Sequence, residues 1–112
     1  MQKFQYRIPR YIVDLPVRLR VDGASVAGRC REVSREGMRV ELPQPLPPDF
    51  SGVVSLFHQG VALELQVRLA HSDGHQEGLK FVFASEKERD AVARLVARLN
   101  AGSGHAGPVL VE

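Results

Sequence analysis

The sequence predicts a mainly β fold, a small six-stranded antiparallel β-barrel with a C-terminal α-helix. Three observations carry that expectation. Apolar and polar residues alternate through most of the stretch from Tyr11 to Phe83, as strands with one buried face require. Glycine-containing turn signals recur between the alternating runs. After Phe83 the apolar period changes from two to that of a helix. Closing such short strands into a barrel is the usual way to hide their edges.

Taken in order, residues 1–10 have no sustained periodicity and read as a flexible basic arm. Val17, Leu19 and Val21 alternate with Arg18 and Arg20, and Asp22-Gly23 is a hairpin signal because glycine accepts positive φ at little steric cost. A second strand is expected over 25–33, then the turn Ser34-Arg35-Glu36-Gly37, then alternation from Met38 to Leu42. The run Pro43 to Asp49 holds four prolines and is expected to cross one end of the barrel as a stiff loop, since proline cannot donate to a strand ladder. A short strand over 53–57 ends near Gly60. The next, over 61–69, is the clearest: Val61, Leu63, Leu65, Val67 and Leu69 share one face, with Ala62, Glu64, Gln66 and Arg68 on the other. Ser72-Asp73-Gly74 turns the chain into residues 78–83, where Leu79, Phe81 and Phe83 share a face.

The helix is expected over about residues 86–99. Ser85-Glu86-Lys87-Glu88 is a capping box with acidic residues in the first turn, where the helix dipole favours them. Val92, Leu95, Val96 and Leu99 form an i, i+3, i+4, i+7 stripe that should pack on the barrel. The expected organisation is therefore an arm over 1–10, a barrel plus helix over 11–100, and a mobile tail over 101–112 in which Val109, Leu110 and Val111 can dock. The expected core contains Val17, Leu19, Val40, Leu63, Leu65, Val67, Leu79, Phe81, Leu95 and Leu99.

At 112 residues the chain suffices for one domain with one modest core, and its 44% hydrophobic and 25% charged residues are ordinary for a soluble protein. No stretch approaches the roughly 20 apolar residues of a membrane span. The first ten residues lack the apolar run of a secretory signal, and the single Cys30 cannot form an internal disulfide, so the expected compartment is the cytoplasm. Charge is uneven. Residues 1–40 carry nine basic groups against four acidic ones, whereas the remaining 72 carry six against nine. The basic third points to an anionic partner or, read more plainly, to a solvated strand face at Arg18 and Arg20.

Two motifs stand out: Tyr6-Arg7-Ile8-Pro9-Arg10, and Glu32-Val33-Ser34-Arg35-Glu36-Gly37. In this order, ahead of short strands, they resemble the PilZ family of cyclic di-GMP receptors, whose pattern is Arg-x-x-x-Arg followed by Asp/Asn-x-Ser-x-x-Gly. Gly78-Leu79-Lys80-Phe81 resembles that family's last strand, and the resemblance covers roughly residues 4–100. It implies a barrel of the split-barrel type closed by a helix, with an arm that clasps the ligand. Two positions depart from the pattern: Tyr6 stands where the first arginine is expected, and Glu32 where Asp or Asn is expected.

The expected ligand-binding residues are Tyr6, Arg7, Arg10, Glu32, Ser34 and Gly37. A flat guanidinium can bridge phosphate oxygens and also stack on a purine, which suits Arg7 and Arg10. Tyr6 can stack on a base but cannot neutralise a phosphate. The Glu32 carboxylate can accept from guanine N1–H and N2–H, and Ser34 can donate or accept. Gly37 fits a turn with positive φ or a close backbone approach.

No phosphate loop, nucleophile elbow or metal-ligand cluster is present, so neither catalysis nor a cofactor is expected. His71-Ser72-Asp73-Gly74-His75 reads as a polar hairpin tip, because an i, i+4 histidine pair converges on a metal only from a helix. Cys30 reads as a small buried apolar residue. Three functional readings follow: a cyclic di-GMP receptor that relays to an effector protein, an adaptor of the same fold working through protein contacts alone, and a small basic barrel binding RNA or single-stranded DNA. The last asks for exposed aromatics, and Phe81 and Phe83 fall in the apolar phase. The expected state is a monomer or weak dimer.

Overall fold

The computed structural model describes residues 8–103 and 108–109. In chain order the elements are β1 (Arg10–Val21), β2 (Ala24–Val33), β3 (Gly37–Glu41), β4 (Ser51–His58), β5 (Val61–Ser72), β6 (Gln76–Val82), α1 (Glu86–Ser103) and β7 (Pro108–Val109). The first six strands pair antiparallel in the ring β1-β2-β3-β6-β5-β4 and back to β1, which is the expected closed barrel. Tight hairpins join β1 to β2 and β4 to β5. Their turn residues Asp22, Gly23, Gln59 and Gly60 all have positive φ, the geometry that matches the twist of the flanking strands.

The alternation seen in the sequence sorts side chains as it should. Val17, Leu19, Val40, Leu65, Val67, Leu79, Phe81, Leu95 and Leu99 are all buried in one core. Leu63 is the exception among the expected core residues. It pairs with Leu56 close to the β4–β5 turn, near the end of the barrel, and is only partly covered. The proline-rich loop contributes two core residues that alternation cannot reveal, Leu46 and Phe50. Their loop is tied down by Glu77, a buried carboxylate on β6 that accepts from Leu46 N (3.5 Å) and from Ser72 Oγ (3.1 Å).

The helix packs through the expected stripe, with Val92, Leu95, Val96 and Leu99 all buried. At its start Ser85 Oγ accepts from Glu88 N (3.3 Å), and Glu88 Oε1 accepts from Ala84 N (2.8 Å), one residue earlier than the usual reciprocal partner. Phe83, half-buried, lies under the Arg89 guanidinium at 4.7 Å.

Two boundaries differ from those expected. Strand β1 takes in Arg10, the last residue assigned to the arm, because Arg10 pairs with Val109 of the short β7. The helix continues to Ser103, into the stretch assigned to the tail, since Ala101 favours the helix and no proline intervenes before Pro108. Leu110 and Val111 lie outside the described residues.

Candidate functional site

Three irregularities in strand pairing converge at one end of the barrel. In β1 the residues Val13 and Asp14 oppose Arg31 alone; in β2 Arg31 is extra against β3; in β5 Ala70 is extra against β6. Each bulge bends its strand and re-aims the neighbouring side chains. Its effect on β2 is visible in burial. Cys30 and Val33 are both interior although three residues apart, which strict alternation forbids, and Glu32 is left facing outward between them.

Beside these bulges lies a cleft of about 460 Å³. Arg10, Glu32, Ser34 and Gly37 line it, together with Arg39 of β3, Ala70 and His71 of β5, and Lys80 of β6. Four of the six expected site residues are thus brought together. Tyr6 and Arg7 lie outside the described residues.

The turn that follows β2 is built around Ser34, which is itself buried. Ser34 Oγ accepts from Glu36 N (3.1 Å) and Gly37 N (3.3 Å), and Ser34 N donates to Gly37 O (2.9 Å). Glu36 O in turn accepts from Phe81 N (2.9 Å), which anchors the turn to β6. The hydroxyl of Ser34 therefore shapes the floor of the cleft. Gly37 has the second of the two reasons weighed for it: its φ is not positive, but a Cβ there would run into the Leu79 carbonyl.

Electrostatics at the cleft centre on Glu32. Its Oε1 lies 3.6 Å from Arg10 Nη1 and 3.8 Å from Arg39 Nε, and Arg39 Nη1 is 3.8 Å from Asp73 Oδ2. These are ion-pair distances too long for hydrogen bonds. Among the described residues, Glu32 Oε1 and Arg39 Nε are both buried without a hydrogen-bond partner. Asp73 has its carboxyl held below the usual range, first by the backbone N–H of Gln76 and then by that of His75, both donating to Oδ1.

Of the remaining arginines in the basic third, Arg29 and Arg31 are otherwise engaged and Arg35 is exposed. Arg29 and Arg31 share Asp14 (2.8 and 3.1 Å), and Arg31 also reaches Glu41 (2.8 Å), so Glu41 is held below its ordinary pKa by that hydrogen bond and a second from Gln76. Arg18 and Arg20 are exposed on the strand face. Arg39, His71 and Lys80 were not legible as site residues in the sequence. The available signal was positional, since Arg39 follows Gly37 by two and Lys80 pairs with Gly37 across the ladder.

Residues 5–98 match the PilZ domain model. The chain belongs to the PilZ family. Among solved structures, the PilZ domain of CeSA from a cellulose-synthesising bacterium is 23% identical, with 86% of this chain and 99% of that one aligned at a TM-score of 0.68. The PilZ domain of Escherichia coli YcgR, solved with cyclic di-GMP, is 13% identical over 92% and 99% of the two chains, at 0.65. The Klebsiella pneumoniae MrkH–cyclic di-GMP complex gives 16% identity, 91% of this chain, 55% of that one and a TM-score of 0.73. At these identities the likeness is one of fold. No curated protein matches the sequence. PilZ is a cyclic di-GMP receptor family of binding domains. No helix among the described residues is long and apolar enough to cross a membrane, and no three metal-ligating side chains cluster among them.

Proposed function

We propose that this PilZ domain binds cyclic di-GMP in the cleft at the end of β2 and relays its presence to an effector protein. The supporting observation is the convergence of Arg10, Glu32, Ser34 and Gly37, from three strands and a turn, on a single opening. In this reading Arg10 engages a phosphate or a purine face, Glu32 accepts from a guanine edge, and Ser34 and Gly37 shape the floor. Arg7 and Tyr6 come over the ligand from the arm.

Calorimetric titration with cyclic di-GMP tests it. Arg10→Ala should weaken binding about tenfold to a hundredfold, the equivalent of about 1.5–3 kcal/mol for a charge-assisted hydrogen bond. Binding should also weaken as salt rises. An affinity indifferent to both would place the ligand elsewhere.

One observation favours a second reading, an adaptor of this fold that works without nucleotide. Glu32 already lies against both Arg10 and Arg39, so the cleft partly satisfies its own charges. Absence of binding in the wild-type chain would favour that reading. A nucleic-acid surface has less support: Phe81 is buried, Phe83 sits under Arg89, and Phe57 is the one largely exposed aromatic ring among the described residues.

A further inference from the structure

We propose that Arg39, together with Glu32, reads the edge of a guanine, and that Arg39 is therefore the residue that sets base specificity in the cleft. The inference rests on the cyclic di-GMP reading and goes beyond it, since Arg39 belongs to neither sequence motif.

Three observations converge on this residue. Arg39 pairs directly with Glu32 across the β2–β3 ladder, so a hydrogen-bond acceptor and a donor fork stand side by side in the cleft wall. The buried atoms Glu32 Oε1 and Arg39 Nε face each other at 3.8 Å, and among the described residues neither is hydrogen-bonded. The other end of the guanidinium reaches Asp73 Oδ2 only at 3.8 Å. Charge holds the group in place, its outer nitrogens make no hydrogen bond among the described residues, and the buried Nε and Oε1 left unbonded are costly.

The chemistry fits one base. Guanine presents N1–H and N2–H donors next to the acceptors O6 and N7, so a carboxylate and an arginine fork placed side by side complement adjoining stretches of the same edge. Adenine presents an amino donor where guanine has O6, and an acceptor at N1. It would oppose donor to donor at Arg39 and acceptor to acceptor at Glu32. Asp73 pairs with Arg39 at an ion-pair distance and so competes with a base for it. Its own Oδ1 is committed to the turn through His75 N and Gln76 N, so only Oδ2 competes for the guanidinium.

The test compares cyclic di-GMP with cyclic di-AMP, by titration and by displacement, on the full chain. Arg39→Met removes the donors while keeping an unbranched side chain. It should weaken cyclic di-GMP tenfold or more and leave cyclic di-AMP no weaker, collapsing the preference for guanine. Asp73→Asn keeps the Oδ1 acceptor of the turn and removes the competing charge. It should tighten cyclic di-GMP about threefold in the wild-type background and have no effect beside Arg39→Met, an interaction that a purely structural Arg39 would not produce. Thermal melts of each variant identify any loss due to unfolding. Equal loss of both dinucleotides on Arg39→Met would assign Arg39 to phosphate and overturn the proposal, as would an unchanged guanine preference. Asp73→Asn without effect, or with the same effect in both backgrounds, would overturn it too. Wild-type binding of cyclic di-GMP with any of these results leaves the receptor reading standing; no wild-type binding ends both.

Discussion

Cys30 illustrates how a single residue is fixed by its surroundings. Its thiol is fully buried, donates to Glu32 O at 3.3 Å, and is pushed up to about 12 chiefly by burial. The folded chain therefore keeps a proton that the unfolded chain gives up above about pH 9. Because the folded-state pKa is raised, the stabilisation is complete below that pH and is lost as pH rises toward 12. We expect the stability advantage of wild type over Cys30→Ala in urea to fall by about 1.4 kcal/mol per pH unit from roughly pH 9 upward. A constant difference over that range would show the thiol titrating normally. The two departures from the family pattern belong to the same scale. Tyr6→Arg restores a planar cation, and Glu32→Asp draws the acceptor back by one methylene. Together they should tighten cyclic di-GMP by about 2–4 kcal/mol if each gains one charge-assisted hydrogen bond. Parallel titrations decide it. Tight wild-type binding would mean the cleft tolerates both residues, and no binding by either chain would mean the pocket is lost more broadly.

Among the elements, the helix was the most legible, because a capping box and a four-residue stripe specify both where it starts and which face it buries. Its cap makes a direct prediction: Ser85→Ala removes the acceptor for Glu88 N and should cost about 1 kcal/mol in chemical denaturation. An unchanged midpoint would mean that the Glu88–Ala84 contact alone holds this end. The strands were legible wherever one face is wet and the other dry, as in β1 and β5. They were less so at the bulges, because an extra residue shifts the phase of everything beyond it, and period-two reading has no way to anticipate Arg31 or Ala70. The same limit hid the cleft wall. Glu32 and Ser34 could be found by their spacing, whereas His71 and Lys80 reach the site only through pairing between distant strands, and Arg39 through a β2–β3 register that the Arg31 bulge shifts. Leu46 and Phe50 escaped for a different reason, since the prolines around them suppress any periodicity.

On the scale of the whole molecule, the motif turn and the core are one structure. Phe81 is buried among the strands, and its backbone N–H carries the Glu36 carbonyl of the turn. Phe81→Ala should cost about 3–5 kcal/mol, measured by urea unfolding, and a loss below roughly 1 kcal/mol would mean that the ring is not packed as a core residue. The ring of strands also has a consequence in time. Its closing pairs join residues far apart in the chain, Val17 with Leu56 and Gly37 with Lys80. Contacts of such separation form slowly, after local hairpins. During synthesis, both sequence motifs leave the ribosome well before β5 and β6, which supply Ala70, His71 and Lys80 to the opposite wall. A nascent or truncated chain ending before β6 carries both motifs and still lacks that wall, so the cleft is complete only with the finished barrel.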